Sequence, residues 1–217
     1  MGRLTSRLAT IPVAVLGSTA ARLRELEDAD RVVRAPLSLS RRIAFVQLGG
    51  GCGASAAAAY VTNLLARRRT GAVLGINASG GSRSMLWHAG LGDVTATRPQ
   101  ERRSHPLSLD DASAGLTRSA SGFYALDARE PGSDVAASEA QWAEHVAPIS
   151  RFYDVICTDW GVRPWQVDLG SIAAGSHAIC LVARADRSAA EEIAAVSGAI
   201  AALENQPRVV LALVDVG

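Results

Sequence analysis

The sequence predicts an α/β fold: a mostly parallel sheet covered by helices on both faces. Two observations carry that prediction. From Arg42 to Val214, short apolar runs alternate with longer stretches of helical periodicity, the pattern of parallel strands joined by crossover helices. A glycine cluster, Gly49-Gly50-Gly51-Cys52-Gly53, separates the first apolar run from the first helical stretch. In open sheets of this class ligands bind there, beyond the carboxyl ends of the strands. The length, 217 residues with 48% hydrophobic side chains, suffices for one domain with a full core and an arm.

Residues 1–40 read as the N-terminal arm. Within it Ile11–Leu16 is apolar enough for a short strand. Ala20–Val33 places Leu23, Leu26 and Val33 on one helical face, and Ala35-Pro36 breaks it. The α/β domain follows over 41–217. Ile43–Leu48 is a strand, Ala54–Arg69 a helix and Val73–Ile76 a strand; Ser82–Gly90 is a short helix. Arg98–Ser121, with Pro99, Pro106 and the Arg102-Arg103 step, reads as a polar surface excursion. Phe123–Leu126 is a strand. Ala136–Tyr153 is a helix with Trp142, Val146 and Ile149 on one side. Asp154–Thr158 is a strand, Val167–Ala174 a short helix, Ala178–Val182 a strand, Ser188–Leu203 a helix and Val209–Val214 the last strand.

Composition excludes several function classes. The chain has 22 arginines, no lysine and a net charge of +1, so nothing favours broad nucleic-acid or membrane electrostatics. No run approaches the ~20 apolar residues of a membrane span. Arg3, Arg7 and Ile11–Leu16 faintly imitate a secretory leader, but Pro12 interrupts the run. The three cysteines, Cys52, Cys157 and Cys180, have no metal-ligand spacing, which points to a reducing cytoplasm. His88, His105, His145 and His177 are scattered over different segments.

The glycine cluster carries the strongest chemical signal. Between a strand and a helix, glycines let backbone N–H groups converge at the positive helix end, which favours an anion. A working phosphate loop adds a lysine for the phosphates and a Ser or Thr hydroxyl for Mg²⁺. Here Gly49, Gly50, Gly51, Cys52, Gly53, Ala54 and Ser55 are the candidate phosphate-binding residues, with Ala54 where a lysine belongs. Each lost charge-assisted contact removes about 1.5–3 kcal/mol, so tight ATP binding is not expected. The second signal is Tyr153–Gly161, an apolar strand followed by Asp159 and Gly161. Asp159 is the candidate Mg²⁺-orienting carboxylate and Ser55 its hydroxyl partner. Cys52 reads as a plain replacement of a small apolar residue. Trp160 and Trp165, near Asp159, read as packing residues that would mark a partner surface if exposed.

These pieces, in this order, resemble the MinD/ParA group of P-loop ATPases, whose loop reads K-G-G-x-G-K-[ST]. Laid on this sequence, the two lysines fall on Gly49 and Ala54, and the Mg²⁺ hydroxyl on Ser55. The group's D-A-[DN]-P after the second strand is here Asn77-Ala78-Ser79-Gly80, so its water-activating carboxylate is absent. Asp159 matches the Walker B aspartate, and the adenine-reading asparagine falls near Ala212. The likeness covers roughly 23–217. In Arg34–Leu37, Arg41–Val46, Ser119–Leu126 and Tyr153–Gly161 it extends to MinD-like proteins encoded beside actinobacterial type VII (ESX) secretion genes. The family pattern continues past the last strand, which implies that the C-terminal edge of the sheet is missing or comes from a partner.

The resemblance implies a degenerate, pseudo-ATPase member with Asp159 as a catalytic vestige. Such a protein would bind a protein partner, in type VII secretion or cellular positioning, or form a homodimer, with no cofactor or only weakly held Mg-ATP. Two alternatives compete. One is a working ATPase in which an arginine, Arg163 among the candidates, replaces the lysines. The other is a dinucleotide-dependent oxidoreductase, since Gly49–Ala54 fits G-x-G-x-x-A. That motif expects an acid at the end of the next strand, where Asn77 stands.

Overall fold

The computed structural model describes residues 5–92 and 105–215. It divides into two compact units between Pro36 and Leu37. The first is one helix, α1 (Thr5–Arg34). It overturns the strand expected at Ile11–Leu16, because a short apolar run is equally compatible with a helix, which satisfies its backbone locally. The helix ends where Pro36 disfavours helical geometry at Ala35, and Arg31–Asp28 and Arg34–Asp30 pairs line its last turns.

The second unit is a seven-stranded sheet. Its strands are β1 (Arg41–Gln47), β2 (Val73–Asn77), β3 (Thr117–Arg118), β4 (Tyr124–Asp127), β5 (Val155–Val162), β6 (Ala178–Arg184) and β7 (Arg208–Val214), in the order β3-β4-β2-β5-β1-β6-β7. All neighbours are parallel except β3 and β4. The α/β expectation therefore holds. The strand order reverses around β1, so the loop leaving β1 stands at the switch point where such sheets bind ligands.

Alternation along β1 sends successive side chains to opposite layers. Phe45 joins Val73, Val155 and Cys157 beneath α2 (Ala54–Arg68), through Ala58 and Ala59, and α3 (Met85–His88), through Met85 and Leu86. Ala44 and Val46 join Ile76, Ile156 and Leu181 in the other layer. That layer is covered by α5 (Glu139–Val146), α6 (Gly170–Ala174) and α7 (Arg187–Ala201).

Several boundaries differ from expectation. The polar excursion contains α4 (Leu109–Ser113), capped by Ser108, and the two-residue β3; both are too short to leave a periodic signal. Pro99 and the Arg102-Arg103 step lie outside the described residues. The helix expected over 136–153 starts at a Ser138–Gln141 capping box and stops at Val146. Pro148, which lacks an N–H and clashes with the preceding turn, ends it. A π-type turn, Trp165–Leu169, precedes α6. The strand expected to end at Thr158 runs on to Val162, with an irregularity that pairs Phe45 with Asp159 and Val46 with Gly161. Trp160 is the extra residue of this bulge.

Candidate functional site

The glycine loop stands at the carboxyl end of β1 and opens α2. Gly51 and Gly53 have φ of 75° and 84°, a conformation that side chains rarely adopt. Nothing lies within 4 Å of where a Cβ would stand at Gly49, Gly50 or Gly51. Gly50 and Gly51 form a hydrogen-bonded turn, and the loop leads directly into the first turn of α2, whose N–H groups have no carbonyl before them in the helix. The loop is therefore an open, glycine-lined turn at a helix N-terminus, a geometry suited to an oxyanion. Cys52 is buried, and its thiol donates to the Gly49 carbonyl at 3.0 Å, so it braces the loop from within. Ala54, in the lysine position, is 1% exposed and packs with Cys52 and Val182. Ala212 and Val214 of β7 pack against the same cluster.

The structure brings Ser55 and Asp159 together, and adds Asn77 and Ser79. Asp159 is 0% exposed. Its Oδ2 lies 3.0 Å from the Ser79 hydroxyl and accepts the Met85 N–H at 3.2 Å; its Oδ1 accepts the Gly161 N–H at 3.1 Å. Burial pushes the Asp159 carboxyl up, while Ser55, Ser79, Gly161 and Met85 pull the other way. Asn77 is equally buried. Its amide nitrogen donates to Asp127 Oδ1 at 3.2 Å, and its Oδ1 accepts the Ser79 N–H and hydroxyl at 3.1 and 2.8 Å. Those partners fix Asn77 Oδ1 as an acceptor. The single Ser79 proton cannot serve both Asn77 and Asp159. A neutral Asp159 that donates to Ser79 satisfies the row of oxygens. Asp127, beyond Asn77, is held by Arg129 at 2.7 Å.

Asp159 is thus sealed from solvent, with one oxygen accepting the Met85 N–H and the other the Gly161 N–H, so it presents no open carboxylate edge to a Mg²⁺ ion. The set does not fit a magnesium site in this arrangement. Among the described residues no group of three His, Cys, Asp or Glu is placed to hold a metal ion.

Arg163, the arginine considered as a stand-in for the lysines, is 6% exposed. It donates to the carbonyls of Trp160, Ala78 and Ala137 and pairs with Asp168. Its guanidinium ties β5 to β2 and the start of α5, and is fully engaged. Trp160 is 4% exposed, packed beside Trp142 with ring centroids 5.7 Å apart. It lies in the layer opposite α2 and leaves the loop open. Trp165 is half-buried against that layer, so the two tryptophans form no exposed pair. Burial pushes the Cys157 thiol up to about 12 and raises Cys180 as well, so both behave as apolar core groups. The roles of Asn77, Ser79 and Arg163 as one buried network were not legible from spacing. The trace that could have exposed it is Gly161, which has a φ of 67° and where a Cβ would collide with Ser79.

No protein-family model and no curated protein sequence matches the chain. Solved structures do. A chain of the MinC:MinD cell division protein complex of Aquifex aeolicus aligns with 18% identity over 79% of this chain and 68% of that one, at a TM-score of 0.54. The septum site-determining protein MinD of Pyrococcus horikoshii, complexed with Mg-ADP, aligns with 17% identity over 81% and 70%, at 0.52. The VpsO kinase domain aligns with 14% identity over 81% and 84%, at 0.56. The chain thus has the MinD/ParA-like P-loop fold. Among the described residues no helix is long and apolar enough to cross a membrane.

Proposed function

We propose that this chain is a pseudo-ATPase of MinD/ParA type, a regulatory or scaffolding protein that uses the fold to bind a protein partner without turning over nucleotide. The observation that supports this reading is the state of Asp159, buried and hydrogen-bonded through both carboxylate oxygens. Hydrolysis in P-loop enzymes rests on positive charge at the phosphates and on a metal held by such a carboxylate. Ala54 supplies no charge, Arg163 is engaged elsewhere, and Asp159 faces donors. The site residues keep their proposed assignments: Gly49–Ser55 as an inherited phosphate cradle, Ser55 and Asp159 as vestiges of magnesium chemistry. A protein partner is in keeping with the MinC:MinD complex among the structural neighbours. The setting we assign is a cytoplasmic one, in type VII secretion or in positioning, with a homodimer as the alternative assembly.

Purified protein incubated with Mg-ATP is expected to show no phosphate release above a no-protein control. Turnover that Asp159→Ala abolishes would sink the proposal. A second reading, a working ATPase, draws on the open loop. It requires an arginine other than Arg163, from a second copy or a partner, and predicts turnover that rises steeply with protein concentration in the first case and appears only when the partner is added in the second.

A further inference from the structure

The end of the sheet opposite the glycine loop holds a second recess, of about 450 Å³. It lies where β1, β5 and β6 begin, beside the segment that leads into β1. Its lining is rich in donors. Arg42 has no side-chain partner among the described residues. Arg151 donates to the Pro106 carbonyl at 2.9 Å and lies over the Phe152 ring, with no carboxylate partner among the described residues. His177 Nδ1 accepts the Arg42 backbone N–H at 3.1 Å. The proton of its neutral ring is therefore on Nε2, a further donor. The Ser40 hydroxyl is buried and has no partner, a state that native structures resolve with a water or a ligand. Asp154 is the carboxylate in the wall, and Arg69 approaches it at 3.6 Å.

We propose that this recess binds a phosphate-type oxyanion, carried by a small soluble ligand or by a lipid headgroup. Two guanidiniums free of carboxylates, an imidazole N–H and an unpartnered hydroxyl match the acceptor-only surface of a phosphate group, which arginine recognises bidentately. Recognition here runs through charged side chains, whereas the glycine loop carries no charged side chain. The site is therefore independent of whether nucleotide binds at the loop.

The test is an NMR titration of the full chain with sodium phosphate against sodium chloride at matched ionic strength. Saturable shifts of the Ser40, Arg42 and His177 amides are expected. Arg42→Gln with Arg151→Gln should weaken binding at least tenfold, the effect of losing one charge-assisted contact. Because Arg42 lies on a central strand, the single Arg151→Gln variant at the exposed rim provides the same readout with less risk to folding. Absence of saturable shifts, shifts confined to Gly49–Ser55, or unchanged affinity in both variants would overturn the proposal. Cosedimentation with phosphatidylglycerol vesicles that Arg151→Gln loses assigns the phosphate to a lipid. Phosphate shifts without cosedimentation assign it to a soluble ligand.

Discussion

The glycine loop and the Asp159 region are built to opposite specifications. Around Gly49, Gly50 and Gly51 the space that side chains would occupy is open; at Gly161, a Cβ would stand 2.7 Å from Ser79 Cβ. The loop is open at a helix N-terminus, whereas the carboxylate is sunk into a network running from Arg129 through Asp127, Asn77 and Ser79. A nucleotide–metal site needs both halves to face one cleft. Anion recognition by backbone survives the loss of side-chain chemistry, because glycine conformation alone supplies it. Cation recognition does not, because it needs a carboxylate edge open to the ion, and Asp159 is sealed from solvent.

Substitutions at the two regions should therefore have unequal costs. The largest effect is expected at Arg163, which serves the closed region. Arg163→Met leaves Asp168 without its partner and removes the guanidinium from three carbonyls, of which Ala78 keeps a donor in the Ala137 N–H, and should cost about 3–5 kcal/mol in denaturant unfolding. A loss under 1 kcal/mol would show that the guanidinium is not holding the network.

Gly161→Ala and Gly51→Ala form a matched pair, since both glycines have positive φ, 67° and 75°. Gly161→Ala adds a steric collision to the backbone strain and should cost about 3 kcal/mol. Gly51→Ala carries the strain alone and should cost about 1 kcal/mol. Equal costs would erase the contrast between a packed and an open region.

The smallest effect is one of pH. Burial raises Asp159 above its ordinary value of 3.8. Below that value both states are protonated and the carboxyl imposes no penalty. As pH rises the unfolded chain ionises first, so this contribution to stability falls until the folded carboxyl titrates. Asp159→Asn removes the dependence. Whatever its offset in acid, the variant should gain on the parent as pH rises through the ordinary carboxyl value of 3.8, by roughly 2–4 °C in Tm per kcal/mol. An offset that moves the other way would mean that Asp159 is held as a carboxylate.

The sheet was legible because its central strands are buried on both faces and read as apolar runs, as in Ile43–Leu48 and Asp154–Thr158, punctuated by glycine and proline. The loop was legible because five residues carry four glycines, Gly49, Gly50, Gly51 and Gly53. Short elements escaped: β3 has two residues and gains its place from pairing with β4. So did the extension of β5, because a bulge at Trp160 exchanges faces in mid-strand and breaks the alternation on which reading depends. Arg163 escaped for a different reason. An arginine after a Walker-like aspartate carries the same letter whether it reaches toward phosphates or caps three buried carbonyls, and only the packing of Ala78 and Ala137 around it distinguishes the two.

The most direct measurement is a calorimetric titration of the full chain with ATP, once with Mg²⁺ and once with excess chelator. A closed carboxylate predicts no saturable binding at micromolar nucleotide and no difference between the two titrations. Micromolar binding that requires Mg²⁺ and is lost in Asp159→Ala would contradict the account.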